Sequence, residues 1–235
     1  MVLPTFITMK ALAIPFPRRN YRKAIPFAGK IRHIPVKRLF DILFSLMALA
    51  LGLPLFGLLA AIVKLSSKGP VLFGHERIGR GGRVFPCYKF RTMYEDADDR
   101  LKVLLAQNMD LRREWEANFK LKKDPRITPI GKFLRKTSLD ELPQFLNVIK
   151  GDLSVVGPRP VVELEVMKFL GPKASKILSI RPGLTCLWQV SGRSNTSYSR
   201  RIHLDEQYVD KRSLALDMKI IARTLPAMFG SKGAY

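Results

Sequence analysis

The most prominent pattern along the chain is an uninterrupted apolar segment, Ile42–Val63, in which 22 consecutive residues carry no charge. As a straight helix at about 1.5 Å per residue it would be ~33 Å long, enough to cross a bilayer. A core helix of a soluble protein keeps a polar stripe, and this segment has none. The pattern therefore predicts a helix inserted in a membrane.

Basic residues on both sides of the apolar segment constrain its topology. Residues 18–38 contain eight basic residues and no acidic one, and residues 64–91 contain seven basic residues and one acid, Glu76. Because positively charged flanks stay on the cytoplasmic side, both ends are expected there. Pro54, in the middle of the segment, removes a helical hydrogen bond and favours a helix that breaks and returns. A kinked helix that crosses the membrane once is the alternative.

The apolar segment divides the chain into three parts. Residues 1–36 form a basic arm with several prolines, which we expect to be largely irregular. Residues 37–64 are predicted to form the re-entrant membrane helix, and residues 65–235 a compact soluble body. In the body, strands are predicted at Val71–Phe73, Val84–Phe90, Leu153–Val156 and Gly183–Val190, and helices at 95–120, from Thr128-Pro129 onward, at Arg200–Lys211 and at Leu214–Phe229. The predicted fold class is mixed α/β and mainly helical, in a monotopic membrane protein.

Charge and cysteine content narrow the class of protein. Among 235 residues, 41 Lys and Arg against 19 Asp and Glu give a net charge of +22. A mean hydropathy of +0.01 excludes a disordered chain. Two cysteines exclude a disulfide scaffold, and three histidines far apart in sequence make a zinc site implausible. The charge indicates a polyanionic partner: nucleic acid, an anionic membrane or a phosphorylated substrate.

The densest polar cluster surrounds Asp140 and Glu141. Leu142, Phe145, Leu146 and Ile149 follow at helical spacing and predict a buried helix face. Ser138 and Glu141 have the spacing of a capping box. Pro143 favours instead a regular helix that begins there, with residues 138–142 as a tighter lead-in. Both arrangements put the two acids near a helix N-terminus.

These carboxylates have two interpretations. Acidic residues in a first helical turn commonly do no more than stabilise the helix, through a favourable interaction with its macrodipole. Alternatively, an ionised carboxylate attacks a phosphoryl group and forms a covalent intermediate, with nearby cations neutralising the phosphoryl oxygens. The cation candidates are Arg135, Arg159 between two prolines, Lys89 and Arg91.

Several motifs in a fixed order resemble one family. They are KRLFD at 37–41, KFRTM at 89–93, SLDELPQ at 138–144, NVIKGDLSVVGPRP at 147–160 and RPGLTCLWQVSGR at 181–193. In this order they resemble the bacterial sugar transferases, the monotopic phosphoglycosyl transferases that act on polyprenyl phosphate. Leu53 precedes Pro54 where some relatives have serine, which leaves the depth of the predicted hairpin open.

The resemblance implies a reaction and a site. A UDP-sugar would donate its sugar-1-phosphate to undecaprenyl phosphate and release UMP, at the cytoplasmic face of the bacterial inner membrane. By the match, Asp140 is the nucleophile, close to Mg²⁺, and Glu141 assists it. The positions that bind phosphate and nucleotide fall on Arg135, Arg159 and Arg193, with Lys89 and Arg91 nearby. Pro54 is the break of the membrane helix.

The layout is most similar to members that start exopolysaccharide or O-antigen synthesis with galactose, and glucose is the alternative. A basic membrane adaptor without activity is the alternative outside enzymes. Nucleic-acid binding is disfavoured because aromatic residues do not alternate with the basic ones as a stacking platform requires. Anionic membrane lipid is an expected partner, and the oligomeric state is left open.

Overall fold

A computed structural model describes residues 35–118, 121–192 and 197–229, so most of the basic arm lies outside it. Its helices and strands are α1 (Pro35–Ser66), β1 (Leu72–Ile78), β2 (Val84–Phe90), α2 (Ala97–Gln107), α3 (Met109–Asn118), α4 (Pro129–Thr137), α5 (Gln144–Lys150), β3 (Ser154–Val156), α6 (Glu163–Glu165), α7 (Ala174–Ile177), β4 (Gly183–Thr185), α8 (Tyr198–Lys211) and α9 (Leu214–Phe229). The mixed, mainly helical class predicted from the sequence is confirmed.

Helix α1 contains the whole apolar segment and is long and apolar enough to cross a membrane. It continues through Pro54 as one element, so the helix is not interrupted at the predicted break. Its middle is largely exposed: Leu51 is 78% exposed and Leu53 is 69% exposed. Its two ends are partly buried in the body, at Asp41 and Ser45 and again at Leu59 and Val63. Return of the helix to the same membrane face stays a prediction.

Polar contacts attach the first turns of α1 to the body. The Asp41 carboxylate is buried and accepts hydrogen bonds from the Ser154 hydroxyl (2.8 Å) and the Val155 amide (3.1 Å). Lys37 Nζ lies 2.7 Å from Asp217 Oδ2 and 3.5 Å from Asp41 Oδ1. Because a buried charge is tolerated only with partners, this arrangement fixes where α1 meets β3 and α9.

Strands β1 and β2 form an antiparallel hairpin in which Phe73 pairs with Lys89 and Ile78 with Val84. The second strand has the predicted bounds. The first extends five residues beyond the predicted end, because its pairing with β2 continues as far as Ile78, opposite Val84. The turn needs Gly81 and Gly82, whose φ angles are 67° and 73°, in the left-handed region that glycine adopts freely.

Strands β3 and β4 pair in parallel, with Ser154 opposite Gly183. A Cβ on Gly183 would come within 2.1 Å of the Gly157 nitrogen, so the two chains approach this closely only through glycine. The strand predicted over Gly183–Val190 is only partly correct, because the observed strand stops at Thr185 and turns follow. The pairing places the Pro158-Arg159-Pro160 segment beside the chain that leads to Trp188.

The single helix predicted over 95–120 is wrong, because α2 and α3 are separated at Asn108. This residue is extended (φ −136°, ψ 107°). Its side-chain oxygen accepts hydrogen bonds from the Asp110 and Leu111 amides at 3.0 Å, which starts the second helix. Asparagine competes in this way with helix continuation.

Two predictions around α5 need correction. Ser138 is left-handed (φ 57°) and its side chain makes no cap, so the capping box is absent; residues Leu139–Glu141 form a 3₁₀ turn and α5 begins at Gln144. The predicted buried face is also displaced, since Leu146 is exposed while Asn147 is fully buried. The Asn147 amide bonds to the backbone at Tyr88 and Pro86 of β2. Phe145 instead contacts Phe44 of α1.

Candidate active site

Asp140 and Glu141 lie together with Lys89, as the motif comparison implied. Lys89 Nζ is 2.6 Å from Glu141 Oε1 and 3.7 Å from Asp140 Oδ2, so one ammonium group bridges both carboxylates. The Asp140 side chain is 9% exposed and that of Glu141 is 32% exposed. A nearly buried carboxylate next to a more accessible one is a suitable arrangement for two different chemical roles.

The 3₁₀ turn that carries these acids rests on the second half of α1. Leu139 and Leu142, on either side of the acids, pack against the cluster formed by Leu59 and Val63 of α1 with Phe90 and Leu134. The left-handed Ser138 ends α4 and directs the chain into the turn. The carboxylates are thereby placed close to α1.

Burial dominates the electrostatics of Asp140. It raises the pKa of this carboxyl to about 6; the negative Glu141 adds to the rise, and Lys89 and Arg135 oppose it. Burial also disfavours ionised Glu141, but the positive charges of Lys89, Arg159 and Arg77 outweigh it and lower the pKa of that carboxyl. At neutral pH both carboxyls are therefore ionised, Asp140 with the smaller margin.

Arg135 and Arg159 lie near this cluster, since the first influences Asp140 and the second Glu141. Arg135 Nε donates to the Thr92 hydroxyl at 2.9 Å, and the Arg135 charge lowers the pKa of Asp140. Arg159 lies with its guanidinium 5.6 Å from the centre of the Trp188 ring, and its backbone N–H donates to Asp205. Both cations are positioned by their own contacts and act on the acidic pair through charge.

Sequence reasoning missed two members of the cluster, His75 and Arg77. In the hairpin register His75 pairs with Cys87 and Arg77 pairs with Phe85. His75 and Arg77 therefore lie on the hairpin face that carries Lys89. Burial, then Arg77 and Lys89, lower the pKa of His75 to about 3, so the imidazole is neutral. If the predicted first strand had been extended to Ile78, the alternation of side-chain direction along a strand would have placed His75 and Arg77 on one face.

Arg91 is not brought to the acidic pair. Its guanidinium is buried and donates to the carbonyls of Val63 (3.1 Å), Ser67 (2.6 Å) and Pro70 (2.6 Å). These contacts join the end of α1 to the body and occupy the groups that a phosphate would need. Arg193 lies outside the described residues, and Pro54 lies in the exposed middle of α1.

The cysteine thiols and clusters of metal ligands are the other groups that bear on the chemistry of this site. Burial raises the pKa of the Cys87 thiol to about 11 and that of Cys186 to about 12, so both stay protonated. The described residues contain no group of three or more His, Cys, Asp or Glu side chains that could hold a metal. Asp140 and Glu141 nevertheless fit Mg²⁺, which often takes one or two carboxylates and completes its shell with water and substrate phosphates.

The chain is similar over most of its length to known proteins. The sequence profile of the bacterial sugar transferases matches residues 32–231. The exopolysaccharide production protein ExoY of Rhizobium meliloti is 51% identical over 209 residues, covering 88% of this chain and 92% of that protein. The undecaprenyl-phosphate galactose phosphotransferase of Salmonella typhimurium is 47% identical over 85% of this chain, which corresponds to 42% of that protein. The UDP-glucose:undecaprenyl-phosphate glucose-1-phosphate transferase of Escherichia coli is 36% identical over 89% of this chain and 43% of that protein. The profile match across nearly the whole chain places this protein in the bacterial sugar transferase family.

Proposed function

We propose that this protein transfers sugar-1-phosphate from a UDP-sugar to undecaprenyl phosphate, releasing UMP, as the first membrane step of exopolysaccharide, capsule or O-antigen synthesis. The observation that carries the proposal is the bridged pair Asp140–Lys89–Glu141, surrounded by Arg135, Arg159 and Arg77. Such a cluster supplies a carboxylate nucleophile and the cations that phosphoryl transfer requires.

In the first step, an Asp140 carboxylate oxygen attacks the phosphorus that bears the sugar. The new bond joins this oxygen to phosphorus, and the bond from that phosphorus to the bridging oxygen breaks. UMP leaves with the bridging oxygen and its electron pair. Lys89 and Arg159 are the groups we assign to the phosphoryl oxygens, because both are close enough to influence the acidic pair.

In the second step, a phosphate oxygen of undecaprenyl phosphate attacks the same phosphorus. The bond to Asp140 breaks, the carboxylate is regenerated, and the product is undecaprenyl diphosphate sugar. Dividing the transfer in two lets the soluble nucleotide leave before the lipid reacts. Glu141 is more exposed than Asp140 and is assigned to orienting groups or handling a proton.

Mg²⁺ is part of the proposal. Asp140 and Glu141 are the residues that would hold it, and it would neutralise part of the pyrophosphate charge.

We propose galactose as the transferred sugar, with glucose as the second candidate. Support comes from relatives: 47% identity to a protein named as a galactose phosphotransferase against 36% to one named as a glucose-1-phosphate transferase. No contact in the described residues distinguishes the two sugars, which differ only at one hydroxyl configuration.

The reaction test uses detergent-purified protein with Mg²⁺, undecaprenyl phosphate and a panel of UDP-sugars, and measures UMP. We expect release with UDP-galactose, loss in D140N, and full activity in D110N, a control carboxylate that is almost fully exposed. Omitting the lipid should leave a phosphosugar on the peptide that contains Asp140, detected by mass. No UMP from any donor, in folded protein, would favour the non-enzymatic adaptor instead. An active D140N would refute the assigned nucleophile.

We also propose that α1 re-enters the membrane and that the body lies on the cytoplasmic face of the inner membrane. Support comes from the burial of both ends of α1 against one body, since a helix that crossed perpendicularly would separate its ends by the bilayer. The test places single cysteines at the exposed positions Val36 and Leu65. An impermeant maleimide added to intact spheroplasts should label neither, whereas a single-pass helix would expose one.

A further inference from the structure

We propose that four arginines, Arg38, Arg80, Arg83 and Arg181, form a binding site for the phosphate of an anionic phospholipid headgroup, where α1 leaves the body. This headgroup site is separate from the acidic pair. A basic protein is attracted to anionic lipid in general; the proposal names one site for that attraction and one ligand, the headgroup phosphate. It does not depend on the transfer reaction proposed above.

The site is built around a small cavity between the hairpin turn and the end of α5. Its lining residues are Gly79, Arg80, Arg83, Phe85, Gly151 and Asp152. Two further guanidinium groups meet over Gly151: from the position of a Cβ on this residue, Arg38 Nη2 is 3.5 Å away and Arg181 Nε is 3.9 Å away. Three separate parts of the chain therefore bring arginines to one place.

Backbone carbonyls hold two of these arginines. Arg38 donates through Nη1 to Val148 O (2.6 Å) and through Nη2 to Ile149 O (2.9 Å). Arg181 Nε donates to Gly151 O at 2.8 Å. Each guanidinium carries five N–H donors, so these contacts orient the groups with further donors left over.

The hairpin turn holds the other two arginines. The Gly81 amide donates to Leu178 O at 2.8 Å, and the Gly79 amide donates to Arg83 O at 2.7 Å. Because the turn is fixed at both points, Arg80 and Arg83 project from a defined backbone. Within the described ranges neither side chain forms an ion pair with a carboxylate.

The charges around the cavity are unbalanced. Burial, then the positive charges of Arg80 and Arg38, lower the pKa of Arg181, while Asp41 and Asp152 oppose this. Asp41 is already bound by Ser154, Val155 and Lys37, and Asp152 accepts a hydrogen bond from Asn147. Four guanidinium groups with so little compensation repel one another, and a bound anion would relieve that repulsion.

The location favours a lipid phosphate. Arg38 belongs to the first turns of α1, and the apolar segment begins four residues later at Ile42. The arginines therefore lie at the level where α1 enters the bilayer, which is the level of the headgroups. In the hairpin, Arg83 is six residues from Lys89, about 20 Å along a strand. A phosphate in the cavity is thus too far from Asp140 to be the reacting acceptor.

The test titrates full-length protein in nonionic detergent with dihexanoyl phosphatidylglycerol below its micellar concentration, and measures the unfolding midpoint Tm by intrinsic fluorescence. We expect a saturable rise in Tm for the unsubstituted protein and about tenfold weaker binding for R80Q/R83Q. The control K173Q/K176Q removes the same charge at two exposed sites and should bind as the unsubstituted protein does. R80K/R83K should keep part of the affinity, and R83Q alone, at an exposed side chain, should lose a measurable fraction of it.

Several results would overturn the proposal. Equal weakening in R80Q/R83Q and K173Q/K176Q would mean that only net charge matters. An equal response to dihexanoyl phosphatidylcholine would remove the requirement for an anionic lipid. Saturation by inorganic phosphate at the same concentration would assign the cavity to a free anion. UMP release, followed in the same samples, reports separately on the transfer reaction.

Discussion

Replacing Asp140 by Asn should abolish UMP release and at the same time make the folded protein more stable at neutral pH. Burial is the main reason that the pKa of Asp140 rises to about 6 from the ordinary 3.8. A carboxyl with a raised pKa binds more protons in the folded than in the unfolded state. Its ionised form therefore destabilises the fold, and this destabilisation grows as the pH rises. Lys89 retains Glu141 as a partner at 2.6 Å in the variant.

The magnitude follows from the two pKa values. If Asn behaves as a permanently neutral Asp, its stability advantage is below about 1 kcal/mol at pH 4 and grows as the pH rises. It approaches about 3 kcal/mol at pH 7, where the side chain, only 9% exposed, is ionised in both states. For a chain of this size, 1 kcal/mol corresponds to roughly 2–4 °C in Tm.

The assay is thermal unfolding of both proteins in the same detergent, from pH 5 to pH 8. Asp124 provides the opposite control. Although burial opposes ionisation, hydrogen bonds from the Arg126 side chain and backbone lower the pKa of Asp124. D124N should therefore destabilise the protein at neutral pH, by about 3–5 kcal/mol for a broken buried pair.

Either of two results would refute the reasoning. If D140N were less stable than the unsubstituted protein at pH 7, its carboxylate would be a net stabilising group. If the difference in Tm between the two did not change between pH 5 and pH 8, the raised pKa would be wrong. A stable but inactive D140N would instead show that the site keeps an ionised carboxylate at the expense of stability, as functional sites often do.

Three further predictions concern rate and packing. The rate of UMP release should fall as the pH drops through about 6, because a protonated Asp140 cannot attack phosphorus; a pH–rate profile that is flat down to pH 5 would contradict this. R91K should lower stability by about 3 kcal/mol, because lysine cannot reach three carbonyls from one rigid group, while the KM for the UDP-sugar stays unchanged. A raised KM for the UDP-sugar in R91K would mean that Arg91 does bind the substrate. G131A should displace α4 and reduce both stability and activity, since a Cβ there would lie 2.0 Å from Thr92 O; circular dichroism and UMP release measured together check this, and an unperturbed variant would refute it.

Lys89 and Arg91, in the segment KFR, show that local sequence does not determine which basic residue reaches the acidic pair. Lys89 and Arg91 are two residues apart, so strand periodicity alone puts them on one face. The strand ends at Phe90, however, and Arg91 turns away to carbonyls at the end of α1, while Lys89 meets Asp140 and Glu141. The partners that separate the two roles lie about 25 and 50 residues away in sequence.

Local physics was sufficient for several features. The apolar α1, the Thr128 cap of α4, the bounds of β2 and α9, and the start of α5 after Pro143 all follow from periodicity and backbone chemistry within one segment. The acidic pair was found in the same way, with the motif order supplying its role.

Tertiary structure decided which residues surround that pair and which faces are buried. Asn147 is buried and Leu146 exposed because the hydrogen bonds of the asparagine to β2 and the contact of Phe145 with α1 determine how α5 is turned. His75 and Arg77 join the site only through their register with β2. The amino-acid sequence determines the elements, because they depend on neighbours along the chain; their environment depends on partners distant in sequence, which only the folded chain brings together.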